Sequence, residues 1–528
     1  MSRAEFVLLA ALAAWALFPL VLALIHAAEA HARFTGADGL IGADGVLGAD
    51  QLQYLAWARD AGAHGGFASD LFSLSPSGHV YLEPLFAITG ALFSLGVSLP
   101  VAYLVWKPIA IVILALAAVA WARRLFADQL AARAATVALS LFLCTPIAAL
   151  FSWAQLGGSS RFGFNLYLLS DELLAANKLW GYVPSAIGLA LVPVSLLAAE
   201  RAVDPDVRPA AGRRKLGHGV VRSPLIVASL AAGFASWLHP WQGITLVLIF
   251  AGLAVLQRRR HPLALAAPAI AAALPLIYYY WLAHSDPAWQ LAGQYEVISR
   301  FAPLVLLAGF GPLALIAILG LAPPGDDVIE QALLLWIAGC FVTYVVNSSF
   351  APHALQGLSL PLAALIVRGG QRLRVAPALG LVVIGLLTVP GLAFDARKFV
   401  RTARSDVVQY YLPHSDADAL DWVAHRAPAG GVLAPTPFAA VIPSQTGRAV
   451  WVGHGYWSRD YPARARAVDR LFGGRMSAAA SRRFVAGTGA SLLVSDCRHP
   501  ADLTRTLGSS VRSVRRFGCA RVYVLRAP

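Results

Sequence analysis

The sequence predicts a polytopic α-helical membrane protein with about eleven spanning helices and a small α/β domain at its C-terminal end. Three observations carry that expectation. Of the 528 residues, 58% are hydrophobic and 13% charged, against about 25% charged in a soluble globular protein. The apolar residues come in blocks, and residues 6–28, 224–257 and 263–285 contain no Asp, Glu, Lys or Arg. Beyond about residue 395 the pattern changes to that of a water-soluble segment. A run of about 20 apolar residues crosses the hydrocarbon core as a helix. Only a helix satisfies every backbone amide of such a run within itself.

The expected spans are residues 6–28, 100–121, 134–151, 178–199, 224–238, 242–257, 263–283, 302–322, 329–346, 356–367 and 376–394. The first follows Arg3 and ends near Ala28-Glu29-Ala30. It is read as a retained helix, because the apolar core of a cleaved signal is usually about 7–15 residues long.

With the N-terminus in the cytoplasm and the spans alternating, sixteen basic residues fall inside. They are Arg3, Arg123, Arg124, Arg133, Arg201, Arg208, Arg213, Arg214, Lys215, Arg222, Arg258, Arg259, Arg260, Arg368, Arg372 and Arg374. The short connections outside hold only Arg161, Lys178 and Arg300. That bias sets the orientation and absorbs much of the net charge of +14. The basic clusters are short and interrupted by spans, so nucleic acid is not an expected partner.

An odd number of spans leaves the C-terminal segment outside. Strand-like runs at 431–434, 449–452, 491–494 and 520–525 alternate with helical spacing at 416–426 and 461–472. Strands alternating with helices predict a small α/β unit. The domain division is therefore 1–395 for the membrane module and 396–528 for this unit. The unit shows no nucleotide or metal motif and is expected to hold no catalytic group. Cys144 and Cys340 fall in spans, where a thiol packs as a small apolar group. Cys497 and Cys519 fall outside, where disulfides persist; they are either bonded or two buried thiols.

Residues 29–99 form a long first outside loop, and loops beyond about 12–15 residues are usually functional or disordered. Its Phe34, Tyr54, Trp57, Phe67, Phe72, Tyr81 and Phe86 argue for order. It also holds Asp38, Asp44, Asp50, Asp60, Asp70 and Glu83. A helix is expected over 50–61, with Asp50 as its N-cap. A second, interfacial helix is expected over 81–95, interrupted by Glu83-Pro84. Upstream, Gly-Ala-Asp recurs at 36–38, 42–44 and 48–50. No calcium-loop spacing is matched, so the repeat reads as a glycine-rich loop presenting one important carboxylate.

This arrangement resembles the GT-C superfamily of membrane glycosyltransferases. The resemblance rests on the topology and on Gly48-Ala49-Asp50-Gln51-Leu52-Gln53-Tyr54-Leu55-Ala56-Trp57. It also rests on Tyr81-Leu82-Glu83-Pro84-Leu85-Phe86 and on Trp121-Ala122-Arg123-Arg124-Leu125-Phe126. The string 446–454 with Asp460-Tyr461 is similar to the soluble domain of bacterial members. The resemblance implies a bacterial cell-membrane enzyme. Its donor would be a polyprenyl-phosphate sugar and its acceptor an extracytoplasmic glycan, lipid or protein. Asp50 is followed by Gln51 rather than a second acid, so no metal or other cofactor is expected.

Transfer from a lipid phosphate needs a base for the acceptor hydroxyl and cations or donors for the phosphate leaving group. Asp50 is the candidate base, matching the family's functional acid, with Asp38 and Asp44 as alternates. Tyr54 and Glu83, in the same loop, are candidates for substrate contact. Lys107, Arg161, Lys178 and Arg300 are the outside cations available to a phosphate. His239 with Gln242, and His353 with Gln356, pair an imidazole with an amide at outer span ends and are candidates for substrate contact. The competing readings are a transporter or flippase of a lipid-linked sugar, and a non-catalytic membrane protein of envelope assembly.

Overall fold

A computed structural model of the chain describes all residues except Met1, 40–45, 76, 146, 148–160, 205–223, 258–261, 296–299, 324, 348, 405–406 and 527–528. Asp44 and the basic residues between 208 and 222 and at 258–260 lie outside the described residues. Among the described residues, six helices are long and apolar enough to cross a membrane. These are Arg3–Glu29, Leu99–Leu125, Val183–Val203, Ala264–Ser285, Val328–Val346 and Pro377–Ala403. The other five expected spans coincide at least in part with shorter helices, Leu130–Phe142, Pro224–Leu238, Pro240–Leu256, Pro303–Leu319 and Ser359–Arg372. Leu130–Phe142 stops well short of the expected end at 151, and residues 143–145 are not helical. The longest of the five have 17 residues, about 25 Å at 1.5 Å per residue.

The chain divides into two compact units. The first comprises Met1–Leu17, Lys107–Tyr280 and Val297–Lys398. Within it Val183–Val203 packs against Pro224–Leu238, Pro240–Leu256 against Val328–Val346, and Ser359–Arg372 against both Pro303–Leu319 and Leu130–Phe142. A Cβ at Gly320 would strike the Leu365 carbonyl, and one at Gly369 the Ile316 carbonyl. Two backbones thus meet through reciprocal glycines, the way apolar helices associate where lipid offers no hydrophobic drive.

One end of this unit is held by ion pairs. Arg123 meets Glu5 at 2.7 Å, Arg124 meets Glu200 at 2.5 Å and Asp327 at 2.6 Å, and Arg368 meets Glu330 at 2.5 Å. Asp327 also caps Val328–Val346, accepting from the Ile329 and Glu330 amides. Arg123, Arg124 and Arg368, all expected on one side of the membrane, therefore do share one end of the unit.

The second unit comprises Phe18–Trp106, Trp281–Glu296 and Phe399–Pro528. The first loop and the C-terminal segment thus form one body, and the Pro377–Ala403 helix runs past the expected boundary at 395. Strand β1 (Ala32–Phe34) pairs antiparallel with β2 (Tyr411–Pro413). A four-stranded sheet has the order β3 (Val432–Leu433), β4 (Leu492–Ser495), β6 (Ala520–Leu525), β5 (Val511–Phe517). β3 and β4 are parallel and the other pairs antiparallel. The expected helices appear as His414–His425 and Tyr461–Phe472. Leu433, Val452, Val468, Leu471, Phe472, Leu493 and Tyr523 form the core. Residues 449–452 form only a single bridge, Val450 to Val432. Cys497 and Cys519 are disulfide-bonded, clipping the segment after β4 to the β5–β6 turn.

The first loop holds the two helices Val46–Ala63 and Pro84–Ser94. They cross in backbone contact: a Cβ at Gly90 would lie 2.5 Å from the Ala58 carbonyl oxygen and from the Gly62 nitrogen. The first starts four residues before Asp50, so Asp50 sits in its second turn and is not its N-cap. The second starts after Glu83, whose carboxylate accepts the Phe86 N–H at 2.7 Å, with Pro84 at the first helical position. Glu83-Pro84 is therefore the start of that helix and not a break within it, because proline suits N1 where an N–H would be unpaired anyway.

Candidate functional site

In the second unit Asp50 is held by a histidine from the C-terminal segment. His454 Nε2 lies 3.0 Å from Asp50 Oδ1. The other ring nitrogen, Nδ1, accepts the Tyr456 N–H at 3.2 Å. A nitrogen that accepts carries no proton in the neutral ring, so the proton sits on Nε2 and is donated to Asp50. His454 is itself fixed. Ser458 Oγ accepts the Gly453 and His454 amides and donates to the Phe72 carbonyl at 2.8 Å. His454 is 1% exposed and the Asp50 side chain 20%, so the imidazole is structural backing and the carboxylate is the reachable group.

The helix carries the site further along one face. Asp50, Tyr54 and Trp57 are spaced i, i+4, i+7, which places them on one stripe. Tyr54 packs on Phe86 at 5.2 Å, and Trp57 on Tyr81 at 4.6 Å and Trp457 at 5.2 Å. Trp289 closes the group, 5.1 Å from Trp457 and 4.8 Å from Tyr81. The loop that supplies His454 to Asp50 thus also supplies Trp457 to Trp57. Asp38 is buried, and its N–H donates to Gln51 Oε1 at 2.9 Å. Glu83 Oε1 is buried without a hydrogen bond. Burial pushes the Glu83 carboxyl up to about 8, so the neutral acid predominates at pH 7. Burial likewise lifts Asp70 to about 7, against the lowering effect of the Phe72 N–H.

In the first unit five of the expected substrate-contact residues converge. Lys178 lies 3.4 Å from Glu172 and 3.7 Å from Asp171. His353 Nδ1 is 3.0 Å from Glu172 Oε1, and Gln356 Nε2 donates to Glu172 Oε2 at 2.6 Å. Gln242 Nε2 donates to the Gln356 carbonyl. The His239 ring lies 5.8 Å from that of His353. His239 is 3% exposed, and neither ring nitrogen makes a hydrogen bond of ordinary geometry. Lys178 precedes Val183–Val203, whereas Glu200 lies in that helix's last turn. This cluster and the ion-pair cluster are therefore separated by the helix, about 30 Å at 1.5 Å per residue.

The remaining candidates are placed differently. Lys107 is buried, and its Nζ donates to the Ala16 carbonyl at 2.8 Å. Arg300 donates to the Tyr344, Val345 and Asn347 carbonyls and so caps the end of Val328–Val346. Arg161 is exposed at the first residue of Arg161–Leu173.

Two residues were not anticipated, His454 and Glu172. His454 stands between two glycines directly after the apolar run 449–452, which is the available signal for a histidine set into a tight loop. Glu172 offers no signal beyond being a carboxylate within an apolar stretch.

No protein-family model matches the chain, and no curated protein does. Among solved structures, the archaeal oligosaccharyltransferase AglB of Archaeoglobus fulgidus, in complex with an inhibitory peptide and a dolichol-phosphate, matches at 13% identity. That match covers 92% of this chain and 69% of that one, with a TM-score of 0.47. ArnT from Cupriavidus metallidurans, bound to undecaprenyl phosphate, matches at 14% identity over 97% of this chain and 98% of that one, with a TM-score of 0.46. These are similarities of shape at low identity, and no residue role is carried over from them.

Proposed function

We propose that the chain is an integral membrane glycosyltransferase. It would move a sugar from a polyprenyl-phosphate donor to a hydroxyl of an extracytoplasmic glycan, lipid or protein. In this reading Asp50 takes the acceptor proton, the acceptor oxygen attacks C1 of the sugar, the C1–phosphate oxygen bond breaks, and the polyprenyl phosphate leaves. His454 holds one carboxylate oxygen and so sets the Asp50 rotamer. The N-terminus would be cytoplasmic and the second unit extracytoplasmic, in a bacterial cell membrane.

The observation that carries this reading is the Asp50–His454 hydrogen bond, with the tautomer set by the Tyr456 amide. A reachable carboxylate oriented by a buried, singly protonated imidazole is suited to accept a proton. The test is transfer of labelled sugar from a panel of polyprenyl-phosphate hexoses and pentoses into membrane lipid and glycan. Asp50→Asn should lower transfer by at least about a hundredfold, the lower end of what a positioned base contributes. Asp38→Asn and Asp44→Asn should keep most of it. Near-normal transfer by Asp50→Asn, with either control inactive, overturns the assignment.

A further inference from the structure

We propose that Asp60, His64 and His79 form a binding site for a transition-metal ion of the zinc class, separate from Asp50. The three potential ligand atoms lie within 4.8 Å of one another. His64 Nδ1 is 2.9 Å from Asp60 Oδ1 and 2.9 Å from the Asp60 main-chain carbonyl, and His79 Nδ1 is 3.0 Å from Asp60 Oδ2. A tetrahedral ion with bonds of about 2.0–2.1 Å holds its ligand atoms about 3.3 Å apart. These two pairs need only tenths of an ångström of expansion, but the imidazoles meet different Asp60 oxygens and must turn to share one ion. Two nitrogens and one oxygen suit zinc and cobalt, whereas calcium and magnesium select oxygen.

The backbone builds the cluster from two directions. Asp60 and His64 are one helical turn apart at the end of Val46–Ala63. His79 is brought back by the antiparallel bridge between Ala68 and Tyr81. Asp60 is 6% exposed and already oriented, its Oδ2 accepting the Ser69 N–H at 2.7 Å and the Ser69 hydroxyl at 2.9 Å. An outer partner of this kind fixes a ligating carboxylate. The imidazoles are 41% and 39% exposed and stack with centroids 3.5 Å apart. Exposed rings can turn about their side-chain torsions to fan towards one ion, leaving a fourth position for water. Asp60 follows Asp50 by ten residues in the same helix, about 15 Å along its axis. The ion would therefore act on the loop and not on the proton transfer. It would fasten residues 64–81 to the helix that carries Asp50.

The test uses the full chain, purified in detergent without a polyhistidine tag and titrated with cobalt(II), then zinc(II). One cobalt per chain should bind with the visible d–d absorption of a tetrahedral site, and zinc should displace it. His64→Ala and His79→Ala should each weaken binding by more than the roughly 10–100-fold that loss of an outer-shell partner costs. Both rings are exposed, so the metal-free melting temperature should change little, and His425→Ala should leave binding unchanged. Zinc should raise the melting temperature of the parent chain but not of the two variants. Binding below one ion per chain at saturation, or binding indifferent to both substitutions, overturns the proposal and leaves the three residues a hydrogen-bonded staple.

Discussion

Replacing His454 by leucine tests whether it acts through Asp50. The imidazole donates to a carboxylate, and hydrogen bonds to charged groups are worth about 1.5–3 kcal/mol. At about 1.4 kcal/mol per tenfold, His454→Leu should lower kcat about 10- to 150-fold. KM for the lipid donor should change little, because the imidazole is 1% exposed and covered by the protein. His454→Gln keeps a donor near the Nε2 position and should recover most of the rate. The decisive measurement is the double-mutant cycle. In an Asp50→Asn background the carboxylate base is gone, so His454→Leu should cost far less there. Melting temperatures of all four proteins separate misfolding from misplacement. If His454→Leu lowers transfer equally in both backgrounds, within about 0.5 kcal/mol, the two residues act independently and the positioning argument fails.

Three further outcomes follow from the second unit. Glu83 and Asp70 have raised carboxyl values, about 8 and about 7. Their protonated forms favour the folded state, so this stability is fully present below the ordinary carboxylate range and is lost as pH rises through 7 and 8. Melting temperature should therefore fall between about pH 5 and pH 9, and Glu83→Gln should flatten the upper part of that fall. Gly90→Ala places a Cβ against the Ala58 and Gly62 backbones, and such overpacking should destabilise by about 1–3 kcal/mol in chemical denaturation. Replacing Cys497 and Cys519 by alanine opens a loop with a sequence separation of 22. On loop-closure entropy this should cost the C-terminal sheet about 3 kcal/mol, read as early exchange of the β4 and β6 amides.

Much of the helical plan is legible because apolar runs and basic ends are local signals. Arg123, Arg124 and Arg368 gather at one end of the first unit. The boundaries failed where local chemistry has two meanings. Gly48 made residues 46–49 look like loop, yet one glycine costs a helix only about 1 kcal/mol, and the helix begins at Val46. Glu83-Pro84 read as an interruption because proline breaks helix interiors, whereas here it begins one. Of the proposed site, Asp50 was singled out by its place in the loop. His454 was not, because it lies 404 residues away and no pattern in one sequence reports contact over that span. Lys107 and Arg300 are a third case. Composition shows that a cation is present, but the Ala16 carbonyl and the helix end at Val346 engage them instead.

The pairing of β1 with β2 has a consequence for synthesis. Residues 32–34 emerge directly after the first apolar helix, and their partners at 411–413 follow the last one. Every helix between must be inserted before that ribbon can close, and contacts of such long sequence separation form late. A ribosome that stops after the last apolar helix therefore delivers a chain with its helices made but its first loop unfastened, lacking both the strand partner and His454. Asp50 gains its His454 partner only once the C-terminal segment has been made.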